Sequence, residues 1–242
     1  MTILCYHAVE PGWHAPMSME PADLAEHCAW LARRKSVVPL QDGVRRLDRS
    51  GRLPRGVTAL TFDDGFSSLF QHAWPVLARH RLPATVFLVA QTLTDHGQPV
   101  DWVDSPPAHR LETLSLDQVR EMQSAGIAFE SHSYSHADLT SLSFETCVRD
   151  LRTSRELLES LLGRPVRLLA YPRGRHNDAV RSAARRAGFS HAFTLPENRE
   201  PGGPYAVPRV GVYRGNGLNE LRMKSARPYL RLRRRTTTGA AR

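Results

Sequence analysis

Two short stretches carry residues that could act together in hydrolysis. One is Asp63-Asp64-Gly65, two adjacent carboxylates and a glycine; the other holds His132 and His136, spaced i, i+4. One carboxylate and two imidazoles make a facial three-ligand set for a divalent metal, leaving positions open to water. Consecutive side chains diverge, so one acid can bind the metal while the other stands beside the metal-bound water and takes its proton. The His-x-x-x-His spacing is expected to put both rings on one side of a helical turn. Singly these signals are weak: Asp-Asp-Gly is also turn and cap chemistry, and histidine pairs recur by chance. Their weight depends on whether the chain brings them to one place.

The elements that would do so alternate. Val57–Phe62 is an apolar, β-branched strand that runs straight into Asp63. Ala84–Val89 is a continuous apolar run, the mark of a parallel strand buried on both faces. Ile127–Glu130 feeds His132, and Val166–Ala170 feeds a third unusual strand end, Tyr171-Pro172-Arg173-Gly174. Thr2–Tyr6 opens the chain and leads into His7, and Val207–Val212 is the last strand expected. Between them lie helices: one capped by Ser18, one over Phe66–Arg79 with Phe70, Trp74 and Leu77 inward, one opened by Ser115, one over Ser143–Leu162 and one capped by Asn177. Residues 91–113 form a long loop, of a length that is often functional. About seven strand–helix alternations predict an α/β fold with a parallel sheet, doubly wound or closed into a barrel. In a barrel the strand ends converge on one face. No Gly-x-Gly-x-x-Gly or Walker loop follows any strand, which removes support from nucleotide-binding versions.

The 242 residues suit one large α/β domain, and 41% hydrophobic with 24% charged residues is ordinary for a soluble protein. No apolar run approaches the ~20 residues of a membrane span. The N-terminal residues have no basic n-region or long h-region, so the cytoplasm is the expected compartment, with peripheral membrane contact as an option. Cys5, Cys28 and Cys147 are scattered and odd in number, which suits buried, reduced thiols. The net charge of +9 belongs to the end of the chain: eight of the 33 basic residues lie in 222–242, and without them 25 face 24 acidic ones. A domain over 1–221 and a basic, disordered tail over 222–242 are expected. Attachment of that tail to an anionic membrane surface is the competing use; nothing in the body supports nucleic-acid binding.

Together these residues resemble the polysaccharide deacetylase family, the fourth carbohydrate esterase family with its NodB homology domain. The resemblance rests on Thr61-Phe62-Asp63-Asp64-Gly65 and Ser131-His132-Ser133-Tyr134-Ser135-His136, supported by Leu82–Phe87, Ala170–Gly174 and Pro208-Arg209-Val210. The Tyr6-His7 opening and the Tyr-Pro motif resemble the branch that acts on N-acetylglucosamine exopolysaccharides. The resemblance implies a distorted (β/α) barrel of about seven parallel strands. It implies a divalent metal, usually zinc, on Asp64, His132 and His136, with Asp63 as general base. It implies a substrate-binding third motif, Tyr171, Pro172, Arg173 and Gly174, in which the Arg173 N–H would donate to an oxyanion, and removal of N-acetyl groups from an acetylated amino sugar by attack of metal-bound water. Two family features are missing. The third-motif arginine that orients the base is replaced by Ala170, and no late Leu-x-Leu-His supplies a general acid. His7 is the candidate acid and Arg209 a candidate for orienting Asp63, while His176 and His191 read as solvated edge residues. A carbohydrate-binding pseudoenzyme that keeps the metal site is the alternative.

Overall fold

A computed structural model describes residues 1–51, 53–94, 100–195, 202–226 and 229. In chain order the elements are β1 (Thr2–Tyr6), α1 (Pro21–Arg34), β2 (Ser36–Val37), α2 (Leu40–Ser50), β3 (Val57–Phe62), α3 (Trp74–Arg79), β4 (Ala84–Leu88) and α4 (Leu116–Ser124). They continue as β5 (Ala128–Ser131), α5 (Phe144–Leu162), β6 (Leu168–Ala170), α6 (Asp178–Arg186), β7 (His191–Thr194), β8 (Val207–Pro208), β9 (Val210–Gly211) and α7 (Leu218–Lys224).

Every strand pair is parallel, in the order β8-β7-β6-β5-β4-β3-β1-β9, with β2 beside the start of β3. β8 and β9 stand at the two ends of that order, yet one residue, Arg209, separates them in the chain. The stretch expected as one strand over Val207–Val212 is therefore a strand that changes partner at Arg209, from β7 to β1. Counting it once leaves seven staves beside β2, a parallel sheet nearly closed into a barrel.

The pleat sends alternate residues to opposite faces. Ile3, Ala59, Phe87, Leu168, Ala170, Phe193 and Val207 form an inner cluster with Leu40 and Val44 of α2, which plugs the end where the strands start. Their neighbours Leu4, Leu60, Val86, Phe129 and Leu169 face the surrounding helices. The helices follow their caps. Ser115 makes a capping box with Gln118, Ser143 accepts from Thr146 N, Asn177 accepts from Val180 N, and Gly163 ends α5 at φ 64°.

Three local expectations change. Ser18 does not cap α1; its hydroxyl donates to Glu10 O (3.0 Å), and the helix starts with Pro21 after Glu20. The segment before α3 passes through a π-helical turn over Leu69–Ala73, whose extra residue rotates the buried stripe onto Leu69, Ala73 and Leu77 and leaves Phe70 and Trp74 partly exposed. His191, read as solvated, is 2% exposed and stands 3.2 Å from Asp48 of α2.

At the far end, α7 continues to Lys224, whose buried ammonium donates to Gly211 O (2.7 Å) and Asn216 Oδ1 (2.5 Å). Arg222 and Lys224 thus belong to the folded body, and the rest of the expected tail, apart from 225, 226 and 229, lies outside the described residues. No described helix is long and apolar enough to cross a membrane.

Glu130 fastens the thinnest seam. β5 and β6 share a single register pair, Ser131 with Leu169, and Glu130 Oε2 accepts from the N–H groups of Arg167 and Leu168, each at 2.9 Å. Burial raises the pKa of this carboxyl, against the lowering pull of those donors and Arg164. Glu130→Ala would orphan two backbone donors and is expected to cost about 2–5 kcal/mol in chemical denaturation, whereas Glu130→Gln keeps the acceptor and should cost much less.

Candidate active site

The strand ends converge as the sequence reading requires. β3 delivers Asp63 and Asp64, β5 delivers His132, and all three side chains are at most 2% exposed. Asp64 adopts φ 68° and Gly65 φ 73°, so the chain turns sharply after Asp63 and the two carboxylates part. A Cβ on Gly65 would lie 2.7 Å from Leu88 Cδ2, a second reason for glycine there.

His132 and His136 do come together, but not on a helical turn. Residues 132–136 are a loop with Ser133 at φ 69° and His136 at φ 58°, because the chain must bend back over the end of β5. Polar side chains hold it: Asp150 of α5 accepts from Tyr134 N (3.0 Å) and Ser135 Oγ (2.9 Å), and Ser133 Oγ accepts from His136 N (3.0 Å). Asp64 Oδ1 stands 3.5 Å from His132 Nε2 and 3.2 Å from His136 Nε2. The approach lacks hydrogen-bond alignment, so this buried oxygen has no hydrogen-bond partner among the described residues. A buried, unpaired carboxylate oxygen between two imidazole nitrogens fits a cation. Donors about 2.0–2.1 Å from a tetrahedral zinc would stand about 3.3 Å from one another. Burial drives the His132 pKa down to about 4 despite the raising pull of Asp63, so the ring is neutral, as a ligand must be. Its Nδ1 lies 2.8 Å from Ala170 O, which leaves Nε2 for the cation.

Asp63 is held differently. Arg209 Nη1 donates to Oδ1 and Nη2 to Oδ2, both at 2.6 Å, and Arg209 itself has 0% exposure. Burial alone would raise the Asp63 pKa; the guanidinium outweighs it and holds the carboxyl well below the usual carboxylate range. Asp63 Oδ2 is 4.0 Å from His132 Nε2 and also receives the Cys5 thiol at 3.4 Å. His7, at the end of β1, shares this corner: ligand-type atoms of Cys5, His7 and Asp63 lie within 4.8 Å of one another, and His7 Nδ1 is buried without a hydrogen-bond partner among the described residues. A cation here would meet the Arg209 guanidinium, so the Asp64–His132–His136 trio is the better metal site.

The third motif departs from expectation. Tyr171 is fully buried and its hydroxyl donates to Tyr205 O (3.0 Å), so the ring packs in the shell of the barrel. Pro172 and Gly174 are buried in a short 3₁₀ turn, and Arg173 sits at φ 55° within it. The Arg173 side chain donates to Asp104 and to Trp102 O (2.9 Å). Its backbone N–H lies in the first turn, where N–H groups have no intrahelical acceptor.

Sequence reasoning missed Trp102, Asp150 and the Cys5 contact, and it underrated Arg209. Only Arg209 carried a signal, the Pro-Arg-Val at a strand. Arg209→Met would leave a buried carboxylate unpaired and is expected to cost about 3–5 kcal/mol in denaturant unfolding. Adding Asp63→Asn to it should recover part of that loss, as a double-mutant cycle would show.

The chain is similar to known proteins in sequence and in fold. The family profile described as polysaccharide deacetylase matches residues 50–192, more than half of the chain. The putative polysaccharide deacetylase YxkH of Bacillus subtilis (strain 168) is 26% identical over 223 residues, 89% of this chain and 72% of that protein. The poly-β-1,6-N-acetyl-D-glucosamine N-deacetylase of Staphylococcus aureus (strain MSSA476) is 26% identical over 173 residues, 67% of this chain and 56% of that protein. Among solved structures, IcaB from Ammonifex degensii superposes with a TM-score of 0.74 at 25% identity, covering 93% of this chain and 97% of that one. The fold also matches the Streptococcus pyogenes deacetylase PplD, with a TM-score of 0.78 at 22% identity over 93% of this chain and 98% of that one. With its paired aspartates and histidine loop at the strand ends of a nearly closed parallel barrel, this chain belongs to the polysaccharide deacetylase family.

Proposed function

We propose that this protein is a metal-dependent N-deacetylase that hydrolyses the acetamide of an N-acetylglucosamine-type glycan or glycoconjugate. The observation that carries the reading is the two-pronged grip of Arg209 on Asp63 beside the Asp64–His132–His136 trio. A carboxylate that is ionised and fixed in direction beside a cation site is placed to take a proton; its lowered pKa makes it a weak base, which would depend on the cation to acidify the water. It also weakens one of the two arguments for a pseudoenzyme, the missing third-motif arginine, because Arg209 grips Asp63 from another part of the sheet.

Asp64, His132 and His136 would hold the cation, with zinc the first choice for an N₂O donor set. When bound, it acts as a Lewis acid on the acetamide carbonyl and acidifies the attacking water. Asp63 takes the water's proton while Arg209 keeps both carboxylate oxygens in place. The water oxygen bonds to the acetamide carbon, and the carbonyl oxygen gathers negative charge that the Arg173 N–H can stabilise by donating a hydrogen bond to it. The C–N bond then breaks, and His7, on the Asp63 side of the site, supplies the proton that the leaving amine needs. Acetate and a free amino sugar result. The S. aureus relative's name supports an N-acetylglucosamine polymer as the substrate class.

The test is acetate release from N-acetylglucosamine oligomers and small conjugates. Chelation should abolish it and Zn²⁺ or Co²⁺ restore it. Asp63→Asn should lower kcat about 10²–10⁴-fold, and His7→Ala should lower it well beyond any surface substitution. A protein that binds metal yet releases no acetate from any acetylated sugar would instead be the carbohydrate-binding pseudoenzyme.

A further inference from the structure

The two imidazoles of the trio are supported unequally. His132 has the usual outer partner: its Nδ1 is fixed by the Ala170 carbonyl at 2.8 Å. Such partners set the plane of a ligand ring, and losing one weakens metal binding about 10–100-fold. His136 has none. Its Nδ1 is buried without a hydrogen-bond partner among the described residues, and its backbone sits in a left-handed loop position that does not by itself fix the ring. What lies on the ring is an indole. Trp102 is 8% exposed and stacks on His136 with ring centroids 5.0 Å apart and planes 29° apart.

Trp102 belongs to the long loop after β4, and that loop is tied down on several sides. Arg173 Nη2 donates to Trp102 O at 2.9 Å, and Arg173 Nη1 donates to Asp104 Oδ2 at 3.2 Å. Trp13 Nε1 donates to Ser105 O (2.7 Å), and Leu114 N donates to Gly65 O (2.8 Å). Arg173 is therefore bonded to the backbone of the residue that covers His136.

We propose that Trp102 is a positioning residue for His136: its indole face sets the imidazole plane, as the Ala170 carbonyl does for His132, and Arg173 is the clasp that holds the indole there. This rests on the reading of Asp64, His132 and His136 as the metal ligands. Stacking between π faces prefers a defined offset geometry, so an aromatic ring can orient an imidazole where a merely apolar side chain cannot. The difference separates positioning from packing.

The test uses the full chain, stripped of metal and titrated with Zn²⁺ against a chelator, with the visible absorption of the Co²⁺ form as a second readout. Trp102→Leu keeps the apolar bulk and loses the aromatic face; it is expected to weaken Zn²⁺ binding about tenfold or more and to alter the Co²⁺ spectrum. Trp102→Phe keeps a stacking ring and should stay near the parent in both. Arg173→Met, at a partly exposed side chain that does not touch the trio, should shift both readouts in the direction of the Leu variant. Leu and Phe variants with equal affinity and spectra would overturn the proposal, since packing alone would then suffice. A parent protein that binds neither ion would overturn it together with the metal reading, and the parent titration separates that outcome from the first.

Discussion

Arg209 and Asp63 are both nearly solvent-free, and each carries a full charge. Removing two such ions from water costs several kcal/mol apiece, and only close, well-directed contact offsets it. Here the guanidinium fork meets both carboxylate oxygens, a third donor contact goes to Thr61 Oγ1 (3.2 Å), and the Phe87 ring lies 5.3 Å from the guanidinium carbon. The inner apolar cluster and the α2 plug beneath it keep water from that end of the barrel. Low polarity strengthens the pair and makes its disruption expensive. The carboxylate that could do chemistry is thus inseparable from the packing that closes the sheet.

The other carboxylate answers to a different constraint. Asp64 has no such cationic partner; imidazoles face it, and its inner oxygen lacks a hydrogen bond. Two acids one peptide bond apart end up in opposite electrostatic settings because the left-handed turn at Asp64 and Gly65 splits their directions. One setting suits holding a cation, and the other keeps a carboxylate ionised and fixed in direction. Adjacent sequence positions with divergent environments are how one strand end can serve two roles.

Much of this was legible in the residues. Strands buried on both faces read as unbroken apolar runs such as Ala84–Leu88, and the unusual residues stood directly after them, so barrel and site location followed together. The histidine loop was half legible. The i, i+4 spacing correctly paired His132 with His136, but the same spacing fits a helical turn and a loop, and only the conformations of Ser133 and His136 decide between them. Trp102 was illegible because Arg173, which holds it, lies 71 positions on; Asp150 is nearer, 15 and 16 positions from its partners, but is one of several charged residues on a helix with nothing to single it out. The full burial of Tyr171 was illegible too: a conspicuous aromatic in a motif can pack into the shell behind the site.

The strand that changes partner at Arg209 also sets an order in time. A chain emerging from the ribosome presents Asp63, Asp64, His132 and His136 long before residue 209, which lies 146 positions beyond Asp63. Until Val207–Gly211 slots between β7 and β1, the nascent barrel is an open sheet with two free edges, and its acids have water as their only counterweight. Asp64, His132 and His136 can gather early, but Asp63 gains the grip of Arg209 only once the last stave is in place. Closure of the sheet and fixing of the Asp63 carboxylate become a single event, so a half-made molecule carries Asp63 without the guanidinium that aims it.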